Sequence, residues 1–454
     1  MRGRPYRRRD ARRPHGGADR LVPRVVSGLL VAVALAQAPA RGEGEGRYGP
    51  LEPKDNEQVL IDNAGAYEER FAGRGYLYDS TEIGALVAAI GARLAPRPLD
   101  GYIRYRFRVL RDPEPGAFAL PDGQVYLGTG LLAVLENEAQ VAAVVAHEVQ
   151  HAAGHHGILA YRSARRKTIA SFALGPLTLG AADYFLMRSV MGYSRDLEEE
   201  ADARGARALV KAGYDPRQMP RVFEVLLDDP EGERPAARSP KWSSHPELQA
   251  RVAATRALVP GLLAGVDTAA LRVGGDGYRR TVRGAALDTV RDLIDADYPR
   301  SAVALARRVV REDERSARAH LALGDALLAL GARGTLEGEQ APTNREKRAS
   351  LRARAWYTRS EREARRLETG EGRAVLDANL AAARAAYERA LALAPDAAEA
   401  HRGLGYVHSN LDRPAEAGRH FVTYLKARPD ADDRQAILNE LKAINDSMKK
   451  GESR

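Results

Sequence analysis

The chain of 454 residues lacks cysteine, a long uninterrupted apolar run and, beyond residues 1–40, a strong net charge. Without cysteine, the protein can form no disulfide and can carry no lipid at a cleaved lipobox. The formal net charge is +9, but residues 1–40 hold nine Arg and two Asp, so that only +2 belongs to the remainder. A nearly balanced chain lacks the basic surface that contacts with phosphate backbones require, and we expect no nucleic-acid partner.

Neither of the two most apolar segments suits a transmembrane helix, which takes roughly 20 consecutive apolar residues. Residues 25–36 are too few, follow an Arg-rich stretch and precede the small-x-small site at residues 38–40. This pattern predicts a signal peptide over residues 1–40 and export to the periplasm. Residues 169–190 are interrupted by glycine, proline and aspartate, so we expect them to pack in the core, to cover a cleft as a lid, or to contact a membrane peripherally.

The most informative motif is residues 147–151, which read His-Glu-Val-Gln-His. On a helix, residues four apart share one face, so both imidazoles can bind one metal while Glu148 reaches a water on that metal. Alanines favour a helix here, and Gly154 and Gly157 indicate where it ends. One buried face is predicted by valines at helical spacing, namely Val141, Val144, Val145 and Val149.

A catalytic zinc needs a third protein ligand, and Glu198 is the best candidate. The astacin-like pattern would require a histidine at position 157, where this chain has glycine. Glu198 and Asp202 instead lie four residues apart on a second predicted helix that runs through Val210, so one carboxylate can bind the metal while the other orients a histidine. The alternative is a solvated acidic helix face without any function.

With these residues the chain resembles the HtpX-like and CAAX prenyl protease group of zinc metallopeptidases. Upstream, residues 117–131 look like the strand pair that precedes the HExxH helix in that group, and the resemblance covers roughly residues 60–260. After the HExxH helix, the group has a second helix of the pattern S-R-x-x-E-x-x-A-D and then a Gly-Tyr-Asp-Pro turn. These are matched by Ser194, Arg195, Glu198, Ala201 and Asp202, and by residues 213–216.

The resemblance implies a peptide hydrolase with one zinc ion per chain. Carried over by position, the ligands are His147, His151 and Glu198, and Asp202 lies behind them as an orienting carboxylate. Glu148 is the general base that takes a proton from the zinc-activated water and passes it to the leaving amine.

A half-buried strand is predicted over residues 103–109, where apolar residues alternate with arginine. A hairpin with a turn at residues 121–123 follows it. Such a sheet edge beside a metal could hold an extended substrate by strand addition, and the alternative is an ordinary capped edge strand.

Residues 244–247 read Ser-His-Pro-Glu, in which Ser244 and Glu247 form a predicted capping box for a helix over residues 248–258. The box gives His245 no role. The resemblance extends to the periplasmic BepA-like branch, where a His-Pro at this place can occupy the open position of the metal, so His245 is a candidate regulatory metal ligand. The alternative is a structural or exposed histidine, and His155 and His156 are expected to be partly exposed or packing residues rather than ligands.

After about residue 275 the chain becomes rich in Ala, Arg and Leu and carries an internal repeat. One complete set of residues fits the spacing of a tetratricopeptide (TPR) repeat, namely His401, Leu404, Gly405, Ala417, Phe421 and Pro429. The last three of these have counterparts 34 residues earlier, one TPR period away, at Ala383, Tyr387 and Pro395. A further partial match at His320, Leu323 and Gly324 requires an insertion over residues 331–377. A plain bundle of helical hairpins is the alternative, because repeat arrays usually need at least three units.

We therefore predict an α+β zinc metallopeptidase domain, mainly helical with a small sheet, followed by an all-α TPR-like domain. The boundaries are a signal peptide at 1–40, the peptidase domain at 41–275, repeats at 276–330 and 378–446, the charged insertion at 331–377 and a tail at 447–454. The predicted substrates are misfolded or unassembled cell-envelope proteins, with the repeats presenting a concave surface to protein partners. The main alternative is a latent or non-proteolytic TPR chaperone or assembly factor for envelope proteins, and a membrane-embedded prenyl-protein protease is a weaker third.

Overall fold

The structure is a computed structural model that describes residues 50–98, 100–167, 193–228, 248–331 and 370–452. Four features predicted from the sequence lie outside the described residues. They are the signal peptide, the apolar segment 169–190, His245 with its capping box, and most of the 331–377 insertion. The chain divides into two compact units, with the boundary of the described residues between Glu314 and Arg315.

Over its described residues the first unit is mainly helical and contains one small sheet, which confirms the predicted class of this part. Its elements in chain order are α1 (Asp55–Gly73), α2 (Thr81–Leu94), β1 (Arg106–Leu110), β2 (Ala117–Ala119), β3 (Gln124–Gly128), α3 (Thr129–Val134), α4 (Glu138–Ala153), α5 (His156–Lys167), α6 (Arg195–Lys211), α7 (Gln218–Leu227), α8 (Leu248–Leu263), α9 (Gly275–Asp295) and α10 (Pro299–Glu312).

The sheet has the strand order β1-β3-β2, with β1 parallel and β2 antiparallel to β3. The predicted hairpin joins β2 to β3 through a turn that needs Gly123 at φ +91°, a conformation that glycine adopts without steric cost. Strand β1 is half-buried, because Phe107 and Val109 are buried while Arg108 between them is exposed. Its outer edge is capped, since the backbone N–H of Tyr78 donates to the carbonyl of Val109 at 2.9 Å. The capped-edge alternative therefore holds at this end of β1.

Helix α4 carries the HExxH motif through the middle of the unit. Its N-terminus is capped by the Asn137 side chain, which accepts a hydrogen bond from the backbone of Gln140. Every residue from 139 to 152 is buried, because α2, α6 and α7 pack around this helix. Gly154 ends it as predicted, but Gly157 plays no part in that stop because it lies inside α5.

Helix α6 approaches α4 closely at Gly205. A Cβ atom there would lie 3.3 Å from the backbone nitrogen of His147 and 3.1 Å from the side chain of Met219. Because glycine permits this approach, the carboxylates of α6 reach the histidines of α4.

Helices α9 and α10 belong to the first unit, although we predict from the sequence that the repeats begin at residue 276. Asp292 of α9 accepts a bidentate pair from Arg111, just after β1, at 2.8 and 2.9 Å. The Tyr278 hydroxyl donates to the carbonyl of Leu132 in α3 at 2.7 Å. These two contacts join residues that are 146 and 181 positions apart in the chain, so no local sequence pattern predicts them.

The second unit is all-α, as predicted, over its described residues. It comprises α11 (Ala317–Leu330), α12 (Gly370–Leu393), α13 (Ala398–Asn410), α14 (Pro414–Ala427) and α15 (Arg434–Glu452). Helix α11 packs on α12 and α13 packs on α14. The ring of Tyr387 lies where a Cβ at Gly324 or Gly403 would overlap it, so both glycines are needed for the close packing of these helices. The described parts of the chain contain no helix with the length and apolar character needed to cross a membrane.

Candidate metal centre

Three buried side chains from two helices bring their donor atoms together at one point. The Nε2 atoms of His147 and His151 lie 2.9 Å apart on one face of α4. Glu198 of α6 places one carboxylate oxygen 3.5 Å from Nε2 of His147 and the other 3.4 Å from Nε2 of His151. The three residues are each 5 % exposed or less. The three sequence-predicted ligands are thus brought together, and within the described residues no other group of at least three metal-binding side chains is as compact.

The donor set fits a zinc ion. Zinc binds imidazole nitrogen and carboxylate oxygen at roughly 2.0–2.2 Å, so two ligands at a tetrahedral angle lie about 3.3 Å apart. The separations of 2.9, 3.4 and 3.5 Å bracket that value. Two histidines and one carboxylate also form a common ligand set of catalytic zinc, which leaves a fourth position open.

Asp202 lies behind His147, one helical turn after Glu198. One of its carboxylate oxygens is 2.9 Å from Nδ1 of His147, on the opposite side of the ring from the donor cluster. An Nδ1–H donated to Asp202 leaves Nε2 of His147 as a lone pair directed at the cluster. Burial opposes ionisation of Asp202, but the charge and hydrogen bonds of Arg251 outweigh it and hold the pKa of this carboxyl below its ordinary value.

Arg251 of α8 is a site residue that the sequence did not reveal to us. Its side chain is 4 % exposed, and its guanidinium donates to both oxygens of Asp202, from Nε at 2.8 Å and from Nη2 at 2.7 Å. Its Nη1 lies 2.9 Å from Glu198, and the group stands 4.2 Å from the ring centre of Phe223. Arg251 therefore balances the charge of two buried carboxylates. The sequence signal that could have pointed to Arg251 is its spacing, because it lies three residues after Leu248 and four before Thr255, on the buried face of α8.

The ring of His151 is fixed on two sides. The ring of Tyr193 stacks on it, with centroids 3.9 Å apart and an interplanar angle of 16°. Nδ1 of His156 lies 2.9 Å from Nδ1 of His151, and the two rings meet edge to face. Burial, together with repulsion from His147, lowers the pKa of His151 to about 4, so that its imidazole is neutral at pH 7, as metal binding requires.

His155 and His156 are both buried, so of the two sequence-based alternatives the packing one holds and partial exposure does not. His155 faces away from the cluster. Its Nε2 is 3.2 Å from Asp100 and its Nδ1 is 3.1 Å from the hydroxyl of Tyr102.

Glu148 is 2 % exposed and lines a small cavity beside His147. The cavity has a volume of about 10 Å³, roughly the space that one water centre needs. Its other walls are Ala143, Val144, Met219, Val222, Phe223 and Arg251. The arrangement places the Glu148 carboxylate, the His147 imidazole and room for one water side by side. His245, the predicted regulatory ligand, lies outside the described residues.

The chain is similar to several known proteases over part of its length. The beta-barrel assembly-enhancing protease of Escherichia coli K12 is 27 % identical over 205 residues, which cover 42 % of each chain. The mitochondrial metalloendopeptidase OMA1 of Arabidopsis thaliana is 36 % identical over 140 residues, covering 30 % of this chain and 28 % of the relative. The OMA1 of Schizosaccharomyces pombe is 32 % identical over 154 residues, covering 33 % and 45 %. The chain thus spans less than half the length of each of these relatives.

Residues 83–259 match the model of peptidase family M48. The matched segment contains the three converging donor residues, Glu148, Asp202 and Arg251. The similarity to this peptidase family therefore covers the complete cluster that the structure assembles.

Proposed function

We propose that the protein is a zinc-dependent endopeptidase of the M48 type. In this proposal His147, His151 and Glu198 hold the zinc, Glu148 is the catalytic base and Asp202 orients His147. The observation that carries the proposal is the convergence of three buried donor atoms within 4.8 Å of one another. The carboxylate of Glu148 lies on the same helix as the two histidines, at a cavity with room for a water.

The chain's own residues supply proton transfer and positioning. Zinc held here would acidify a water and polarise the scissile carbonyl. Glu148 accepts the proton of the attacking water and delivers it to the nitrogen of the leaving amine. Asp202 keeps His147 in the tautomer whose Nε2 is a lone pair. Arg251 stabilises the ionised forms of Asp202 and Glu198, so that both carboxylates keep their charge in a buried site.

Substrate class and location form the finer part of the proposal. We assign the chain to the BepA-like branch of its family, and we propose that it cleaves misfolded or unassembled envelope proteins in the periplasm. Similarity to a beta-barrel assembly-enhancing protease and the leader pattern of residues 1–40 support this assignment. The paired helices of the second unit are proposed to be TPR-like repeats that recruit protein substrates or partners.

The test compares the full-length wild type with Glu148→Gln, measuring bound zinc and the cleavage of casein. We expect one zinc per chain in both proteins and a loss of cleavage of at least about 100-fold in Glu148→Gln, because general-base catalysis contributes that much or more. Glu199→Gln is the matched control, since Glu199 lies on an exposed position of α6. Zinc-loaded protein that cleaves neither as wild type nor as His245→Ala would replace the peptidase with the chaperone or assembly factor.

The proposed regulatory role of His245 is tested in the same assay. If His245 occupies the open position of the zinc, His245→Ala raises cleavage above that of the wild type without changing the zinc content. Equal cleavage rates in the two proteins would remove His245 from the regulation.

A further inference from the structure

We infer that His156 is a positioning residue for the metal centre. It accepts a hydrogen bond from Nδ1–H of His151 and thereby leaves Nε2 of His151 as the ligand atom. The inference rests on the proposed zinc site. His156 is completely buried, and its Nδ1 lies 2.9 Å from Nδ1 of His151.

The direction of this hydrogen bond follows from the opposite side of the His151 ring. There Nε2 lies 2.9 Å from Nε2 of His147 and 3.4 Å from Glu198, so it is the atom that faces the metal. A neutral imidazole carries one proton, and a ligand Nε2 must be the bare nitrogen. The proton of His151 is therefore on Nδ1. Nδ1 of His156 must accept it, which places the proton of His156 on Nε2.

The backbone brings His156 to this position by a sharp turn. Five residues along a continuous helix would place it about 140° around the axis from His151. Instead α4 ends at Ala153, and His155 adopts φ +53°, in the left-handed region. His155 is held there by Asp100 and Tyr102, and α5 begins at the next residue. The turn thus directs His156 back onto the ring of His151.

The two ligand histidines consequently have partners of different charge. His147 donates to the carboxylate of Asp202, whose charge Arg251 balances. His151 donates to a neutral imidazole, which adds no further negative charge beside Glu198. The site already holds three buried carboxylates, Glu148, Glu198 and Asp202, beside the single guanidinium of Arg251, so a further carboxylate at position 156 would add buried negative charge without a partner. A neutral acceptor can orient His151 without that cost.

The first test compares His156→Leu with His156→Asn by zinc affinity, measured by competition with a chelator. Leu keeps most of the volume but cannot accept a hydrogen bond, whereas the amide oxygen of Asn can stand where Nδ1 of histidine stands. Loss of the partner of a metal-bound histidine weakens binding about 10–100-fold, so we expect that loss in His156→Leu and a recovery to within about fivefold of wild type in His156→Asn. His401→Asn is the matched control, because His401 lies on α13 of the second unit, where it pairs with His420; its zinc affinity should equal that of the wild type.

If His156 only filled space, Leu would preserve zinc affinity better than the smaller Asn, and that order would overturn the inference. A second readout needs no metal. In the chain labelled with ¹⁵N-histidine, NMR should find His151 protonated at Nδ1 and His156 at Nε2, and His156→Leu should shift His151 toward the other tautomer. A wild-type His151 protonated at Nε2 would overturn the inference. Cleavage assays run in parallel keep the two proposals apart. Zinc binding without cleavage, also in His245→Ala, would defeat the peptidase, whereas the zinc affinities of His156→Leu and His156→Asn would still test the role of His156.

Discussion

The described residues include two clusters of three histidines, and of these two only the first is arranged to bind a metal. The first, His147, His151 and His156, lies on α4 and α5. The second, in the second unit, consists of His401 and His408 of α13 and His420 of α14. In the second cluster the Nδ1 atoms of His401 and His420 lie 2.9 Å apart, and His408 stacks on His420 with ring centroids 5.4 Å apart. The distances between ring centroids are similar in the two clusters.

The difference lies in the carboxylates and in which nitrogens converge. In the first cluster two Nε2 atoms point at Glu198, and the Nδ1 atoms behind them have partners of their own. In the second cluster the imidazoles contact one another through Nδ1 and by stacking. Among the described residues, only the first cluster offers a compact set of three donor atoms that includes a carboxylate. The converging carboxylate of Glu198 thus distinguishes the first cluster, and the second cluster is instead expected to respond to protons.

The largest expected effect tests whether the first cluster depends on its counter-charge. Arg251→Met leaves Asp202 and Glu198 as buried carboxylates without a cation, and breaking a buried ion pair in this way costs roughly 3–5 kcal/mol. We expect that loss in the free energy of unfolding of the zinc-free chain, measured by urea denaturation. Added zinc should restore part of it, because the ion replaces the missing positive charge.

The matched control for Arg251 is Arg256→Met on the same helix. Arg256 is 66 % exposed and pairs with Glu224 at the surface, so its removal should cost less than about 1 kcal/mol. Equal losses in the two variants would mean that Arg251 contributes packing to α8 rather than charge balance to the site.

The next prediction removes the carboxylate that distinguishes the clusters. Glu198→Gln deletes the charged donor and should weaken zinc binding by at least about 100-fold. This loss exceeds the roughly 10–100-fold loss expected when a residue that only supports a ligand is removed. Chelator competition measures this, with Glu199→Gln as the exposed neighbour that should keep the affinity of the wild type.

His401→Asn with His420→Asn should leave the zinc content at one per chain. Loss of zinc from that double variant would place a metal in the second cluster and defeat the comparison.

The sequence predicts those parts of the site that depend on short spacings. The four-residue spacing of His147 and His151 fixes a shared helix face, and the same spacing links Glu198 with Asp202. Arg251 escaped prediction because its partners lie 49 and 104 residues away, at Asp202 and His147, and a lone arginine in a helix usually faces water. The same reason applies to the fold: the hairpin of β2 and β3 follows from its turn residues, whereas the parallel pairing of β1 with β3 and the packing of α9 on α3 depend on distant contacts.

The smallest expected effect is the acid sensitivity of the second cluster. Burial, repulsion from His401 and His408, and the nearby Arg419 lower the pKa of His420 to about 4, against 6.5 for an ordinary histidine. The unfolded chain therefore takes up this proton first. The contribution of His420 to stability is complete above pH 6.5 and is lost as the pH falls toward 4, and for a partly exposed group we expect about 1 kcal/mol.

His420→Gln cannot bind the proton, so it should remove this part of the pH dependence. Thermal unfolding of both proteins between pH 7.5 and 4.5 measures it, and the difference between them cancels the titration of the first cluster, which both share. We expect the Tm of the wild type to fall more steeply than that of His420→Gln below pH 6.5. Parallel curves would show that His420 adds nothing to the acid sensitivity of the chain, and His420 would then serve packing alone.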